Sequence, residues 1–361
     1  MLSRLHIPSL VVNCYLIIGS AYLVADNFVR LEQAASRMLF PDPCVIDPMK
    51  CIIKLVKTNS SSDAKTWTLQ GQKDGLSFCP RISPYLEGVV RVNVKPEKFS
   101  VIAKRYPMMS PGGKWSPSDC HARHKVAIIV PYRDRESHLK VLLNNMHSFL
   151  QKQQLDYVIV IVEQVEKQTI NRAKLMNVGY LEARKLYPFD CFIFSDVDLV
   201  PEDDRNLYAC PVQPRHMSIA VDKFGYKLPY PEIFGGIVAL TVDQMETLNG
   251  FSNAFWGWGG EDDDMSLRLK YVGFNITRYP HHVAKYKMLK HRADKGNPVN
   301  PCRNLILKQS KERWQSSGIR SMNGTYEVIQ TDLFPLYTRV LVDLKEEQSK
   351  KELNIPELCS Q

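Results

Sequence analysis

Two rhythms of apolar positions run through the middle of the chain. Val126-Ala127-Ile128-Ile129-Val130 is an unbroken apolar run, the pattern of a strand buried on both faces, and Pro131 predicts its end. Leu139, Leu142, Leu143, Met146, Phe149 and Leu150 then recur at helical spacing. Tyr157-Val158-Ile159-Val160-Ile161-Val162 reads as a second buried strand, residues 171–187 as a second amphipathic helix, and Cys191-Phe192-Ile193-Phe194 as a third strand. Strand, helix, strand, helix, strand predicts an α/β domain built on a mostly parallel sheet covered on both faces. Ligands of such sheets gather beyond the carboxyl ends of the strands. Short strands are predicted at residues 217–221 and 236–240, around a turn rich in proline, glycine and aromatic residues. Met265, Leu267, Leu269 and Val272 predict a helix over Glu261–Tyr271, with its carboxylates in the first turn.

The N-terminus has a different texture. Residues 5–25 contain no Asp, Glu, Lys or Arg and are apolar enough to span a bilayer, with Arg4 ahead of them. We therefore expect a cytoplasmic tail at residues 1–6, a transmembrane signal anchor at 7–25, a stem at 26–78 and a lumenal catalytic domain at 79–361. A signal peptide cleaved near Ala25 is the competing reading. Pro41, Pro43, Pro48 and the polar run from Thr58 to Asp63 suit a stem. Nine cysteines suit an oxidising compartment, although the number is odd and spacing gives no connectivity. Asn59, Asn275 and Asn323 open glycosylation acceptor tripeptides. The chain has 361 residues, 44% of them hydrophobic, enough for a sizeable core, and its net charge of +9 comes from scattered Lys and Arg. No nucleic-acid-reading motif accompanies that charge, so no nucleic-acid partner is expected; a basic surface suits an anionic substrate.

The residues just past each strand carry the candidate chemistry. Pro131-Tyr132-Arg133-Asp134-Arg135 offers two guanidinium forks for phosphate or uracil oxygens. In Ser195-Asp196-Val197-Asp198 two carboxylates at a strand end reach one site, where a divalent ion would bridge a diphosphate. Trp256-Gly257-Trp258-Gly259-Gly260-Glu261-Asp262-Asp263-Asp264 sets two indoles and a pliable backbone against four like charges. Like charges so placed repel, so local folding alone does not account for them; a positive partner or a proton in transit does, while a solvated helix N-terminus is the bland reading of Asp263 and Asp264. Residues 292–303 lack periodicity and contain Gly296, Pro298 and Pro301, as a closing loop would.

These motifs, with Asn171-Arg172-Ala173-Lys174, Asp222-Lys223-Phe224-Gly225, Phe234-Gly235-Gly236 and Met288-Leu289-Lys290-His291, resemble the animal β-1,4-galactosyltransferases over residues 79–342. The resemblance implies a GT-A type nucleotide-sugar transferase fold and an inverting enzyme held in the Golgi membrane by a single N-terminal, type II anchor. It implies that Asp198, Met288 and His291 hold Mn²⁺, although a thioether is a soft ligand for that ion. Pro131, Arg133, Arg135, Arg172, Val197, Lys223 and Gly236 would bind the donor, and Trp258 would contact its phosphate as a small lid. Asp262 would be the general base that takes the proton from O4 of an acceptor N-acetylglucosamine. Tyr230, Gly260, Glu261, Asp263 and Arg303 would hold that acceptor. Cys79–Cys120 and Cys191–Cys210 are the implied disulfides, with Cys14, Cys44, Cys51, Cys302 and Cys359 unassigned. The chain departs from the family at Ala293, at Asn304 and at Ile233. The galactose-specific members carry Tyr at the last position, and invertebrate members with Ile there resemble N-acetylgalactosaminyltransferases. An aliphatic residue makes room for an acetamido group, so the expected donor is UDP-GalNAc, with UDP-Gal as the alternative; the expected product is GalNAcβ1-4GlcNAc on glycoconjugates.

Overall fold

The computed structural model describes residues 75–290 and 296–355. The expected tail, anchor and stem, and with them Cys14, Cys44, Cys51 and Asn59, lie outside the described residues, as do His291, Ala293 and Cys359. Among the described residues no helix is long and apolar enough to cross a membrane.

The core is a seven-stranded sheet. Its founding unit is β1 (Lys125–Tyr132), helix α1 (Glu136–Lys152), β2 (Asp156–Gln164), helix α2 (Arg172–Leu186) and β3 (Cys191–Ser195). β1 lies between β2 and β3 and is parallel to both. Successive side chains of β1 point to opposite faces. Val126, Ile128 and Val130 pack with Leu139, Leu142 and Met146 of α1, while Ala127 and Ile129 pack with Leu175, Met176 and Val178 of α2. That double burial is what the unbroken apolar run required.

Three expectations need correction. Pro131 does not stop β1, which continues through it to Tyr132 and pairs Pro131 with Val162. The β3 ladder has ended at Ile129, so that side of β1 is open and tolerates a residue without an N–H. Residues 217–221 are not one strand. β5 (Arg215–His216) pairs with β7 (Ile237–Thr241) in the large sheet, and β6 (Ala220–Val221) pairs with β8 (Lys285–Met288) in a second sheet that also holds β4 (Leu199–Pro201). The chain changes sheets between them. Nor is the large sheet mostly parallel. Its order is β5-β7-β3-β1-β2-β10-β9, and the β3–β7, β5–β7 and β10–β9 pairs are antiparallel. β9 (Glu327–Leu333) and β10 (Thr338–Asp343) were not anticipated.

Cys79–Cys120 and Cys191–Cys210 are joined as disulfides, the two pairs implied by the family resemblance. Cys302, unassigned from the sequence, is also disulfide-bonded. α2 begins at its Asn171 cap, whose side chain accepts from the Lys174 N–H. The cap also donates to Asn253 O (2.8 Å), tying the start of α2 to the segment that leads into Trp256.

Candidate active site

A cleft of about 390 Å³ opens at the carboxyl ends of β1, β2 and β3, where an open α/β sheet collects its ligands. Pro131, Arg133 and Arg135 reach it from the end of β1, Arg172 from the start of α2, and Val197 and Asp198 from the turn after β3. Lys223, Ile233, Gly236 and Trp258 complete the predicted donor side. Glu261 and Asp262 line it too; Tyr230, Gly260, Asp263 and Arg303 are not among its lining residues.

The four successive carboxylates resolve into four separate environments, because residues about 100° apart on a helix point in different directions. They occupy the first turn of α3 (Glu261–Tyr271), where the helix dipole favours negative charge. Glu261 faces Arg172 (Oε1 to Nη1, 3.4 Å). Asp262 turns toward Gly235, and a Cβ added there would lie 2.6 Å from its Oδ2. Only glycine lets the β7 approach run this close to the carboxylate. Asp263 accepts from the Tyr230 hydroxyl (2.7 Å). Asp264 is buried and pairs with buried Arg268 (2.7 Å), whose other nitrogens donate to Gly250 O and Ser317 O. Asp264 is thus neither a solvated cap nor a residue of the cleft; it anchors the helix.

Burial, then the neighbouring Asp263, raises the Asp262 carboxyl above its ordinary range, with Arg172 opposing. Burial raises Glu261 as well, again against Arg172 and with Asp262 adding to the rise. Its Oε2 is buried without a hydrogen-bond partner, so one oxygen of this cleft-lining carboxylate is left unspent. Arg172 stays charged despite burial because Asp196 and Glu261 surround it. The Arg172 Nε–Asp196 Oδ1 contact is 2.6 Å. Asp196, the other carboxylate of the Asp-x-Asp motif, lines the cleft as well. It serves Arg172 there, a role the motif alone did not specify.

The metal expectation is tested by the donor set. β4 and β8 pair antiparallel with Leu199 opposite Met288, and the Leu289 N–H donates to Asp198 O (2.8 Å). This ladder brings the Asp198 carboxylate and the Met288 thioether to the same cleft. Asp222 accepts from the Met288 N–H (2.8 Å) and from Lys287, fixing that turn. Two of the three implied donors therefore fit, and the third, His291, lies outside the described residues. Among the described residues no group of three or more His, Cys, Asp or Glu gathers at one point.

Trp258, 58% exposed, stands at the mouth of the cleft. Its N–H donates to Pro298 O (2.8 Å) and its carbonyl accepts from Asn300 N (3.0 Å). The tryptophan turn and the segment after residue 295 are therefore zipped together, and Arg303 lies over the Trp258 ring at 5.5 Å. Gly257 (φ +88°) permits the contact, since a Cβ there would lie 2.5 Å from Pro298 O.

Two family descriptions match this chain: the N-terminal region of glycosyl transferase group 7 over residues 79–211, and the N-terminal domain of galactosyltransferase over residues 215–292. Human β-1,4-galactosyltransferase 3 is 48% identical over 272 residues, covering 75% of this chain and 69% of that protein. Every motif that lines the cleft falls within the two matched stretches. The chain belongs to the β-1,4-galactosyltransferase family. Mouse β-1,4-galactosyltransferase 1 is a further relative, 46% identical over 271 residues, covering 74% of this chain and 67% of that protein. The fold agrees. The crystal structure of a mutant Drosophila β-1,4-galactosyltransferase 7 in complex with manganese, UDP-Gal and xylobiose superposes with a TM-score of 0.54 at 26% identity, covering 64% of this chain and 98% of that one. The GT-A type fold of the β-1,4-galactosyltransferases is therefore the fold of this chain, which is a glycosyltransferase.

Proposed function

We propose that this chain is an inverting, Mn²⁺-dependent transferase that moves a galactose-configured sugar from a UDP donor to O4 of a terminal β-N-acetylglucosamine. The observation that carries the reading is Asp262. A carboxylate of raised basicity lines the same cleft as Asp198, Arg172 and Trp258, in a chain 48% identical to a galactosyltransferase. Asp262 takes the acceptor proton as O4 attacks the anomeric carbon from the face opposite the departing UDP, and its raised pKa makes it the stronger base. Arg133 and Arg135 hold the nucleotide through guanidinium forks. Mn²⁺, held by Asp198, Met288 and His291, would offset the charge on the leaving diphosphate. Glu261, Asp263, Tyr230, Gly260 and Arg303 hold and orient the acceptor, and Trp258 covers the donor. The Drosophila complex with manganese and UDP-Gal supports the metal and the nucleotide class.

The relatives' names support galactose as the sugar, against the expectation of UDP-GalNAc. One observation keeps UDP-GalNAc as the second reading: half-buried Ile233 walls the cleft with a side chain that has no hydroxyl, which leaves room for a C2 acetamido group. The rest of the layout goes with the family: an anchor at residues 7–25 in the Golgi membrane, a stem at 26–78, a lumenal catalytic domain at 79–361, and glycans on Asn59, Asn275 and Asn323. Incubating the protein with Mn²⁺, a GlcNAc-terminated acceptor and each donor in turn tests the reading. Product with neither donor refutes the activity, and clear preference for UDP-Gal that Ile233→Tyr leaves unchanged refutes the second reading.

A further inference from the structure

Arg278 is not among the residues that line the cleft, yet it holds the turn that carries Ile233. Its Nη2 donates to Pro231 O (2.7 Å) and to Ile233 O (3.0 Å), and its Nε donates to His216 Nδ1 (3.2 Å). The backbone beside it is fixed to the large sheet. His216 N–H donates to Thr277 O (3.0 Å), and Thr277 N–H to Pro214 O (2.9 Å). Burial, then the Arg278 charge, depresses the His216 imidazole to about 3. It is therefore neutral, and Nδ1 is free to accept. The same ring hydrogen-bonds the Gly235 backbone, so one guanidinium secures both ends of residues 231–235.

The opposite side of the turn is tied to α3. Ser266 Oγ donates to Glu232 O (2.6 Å), and the Tyr230 hydroxyl donates to Asp263. Ile233 is thus suspended between the sheet and the helix that bears Asp262. A wall selects between two donors that differ only at C2 in proportion to its stiffness; a wall that yields a few tenths of an ångström admits both.

We infer that Arg278 is a specificity-positioning residue: by gripping the carbonyls of Pro231 and Ile233 it fixes how far the Ile233 side chain reaches into the cleft, and hence how sharply the site separates UDP-Gal from UDP-GalNAc. The inference rests on the reading of the cleft as the donor site and holds whichever donor is preferred.

A double-mutant cycle on the full chain tests it, with kcat/KM measured for both donors in the wild type, Ile233→Tyr, Arg278→Gln and the double variant. Ile233→Tyr should change the donor ratio by about tenfold or more in the wild-type background and by less than about threefold when Arg278 is Gln. Arg278→Lys, which keeps the charge and reaches one carbonyl, should restore part of the difference; a merely structural residue would alter turnover and leave the ratio alone. Thermal melting with UDP present identifies any variant that has not folded, and if Arg278→Gln fails there, Arg278→Lys carries the same cycle. An equal shift from Ile233→Tyr in both backgrounds overturns the role given to Arg278 while leaving the donor site intact. No shift in either background overturns the reading of position 233, and this inference with it.

Discussion

The two sides of the cleft are built differently. On the proposed donor side, Arg133, Arg172 and Asp198 sit within a few residues of strand or helix ends, and the strands are buried on both faces. On the proposed acceptor side, Tyr230 comes from a turn and Asp263 and Arg303 from the first turns of two helices, joined by a hydrogen bond and one ring contact. The donor side is held by the sheet itself. The proposed acceptor side is held by contacts between a turn and two helix starts, which open at lower free energy than a sheet does. That division suits an enzyme which binds a nucleotide rigidly and then closes on a sugar.

The largest test removes the proposed base that both sides share. Asp262→Asn should cut kcat by about 10² to 10⁴-fold, with UDP retention on a metal-loaded column unchanged; turnover within about twofold of wild type would remove Asp262 from the mechanism. A smaller effect is expected where the loops meet. Gly257→Ala puts a Cβ against Pro298 O at positive φ, a strain of about 1–3 kcal/mol. It should raise KM about tenfold by loosening Trp258 from residues 298–300, and proteolysis of the segment after residue 295 should quicken. Unchanged KM and protease resistance would show that the two loops close independently.

The pH dependence sharpens the contrast further. Asp262 and Glu261 are both raised above the ordinary carboxylate range, chiefly by burial. The proposed mechanism needs Asp262 ionised, so kcat/KM should fall with falling pH on a limb lying above that range. Stability moves the other way: a carboxyl whose folded pKa exceeds its unfolded one stabilises the fold as it is protonated, so this pair should add stability as pH falls through its raised values. Tm and kcat/KM falling together across that window would contradict the assignment. The smallest expected effect is in the scaffold. Asn171→Ala removes a helix cap and should cost about 1 kcal/mol of stability, seen as a lower Tm with the donor ratio unchanged.

Much of the donor side is legible in the sequence. β2, β3, α1 and α2 follow from apolar runs and helical spacing, and the rule that ligands gather at strand ends then picks out Arg133 and Asp198. Glu261–Tyr271 is legible as a helix for the same reason. The mixed pairing of the sheet is not, because strand direction depends on partners far along the chain; β9 is largely exposed, and β10 buries only alternate residues. Arg278 carries no local signal, since its value lies in carbonyls some 45 positions earlier.

The fate of the four carboxylates divides the two levels most sharply. Sequence determined that residues 261–264 would crowd negative charge into one helical turn, because their order fixes both the period and the charge. Only the folded chain decided that Glu261 meets Arg172, Asp262 faces the cleft across a glycine, Asp263 takes a tyrosine hydroxyl and Asp264 goes to a buried arginine. Each partner comes from a different part of the chain or, for Arg268, from the next turn. Whether a carboxylate becomes a base or an anchor depends on what packs against it, and its own sequence position does not contain that information.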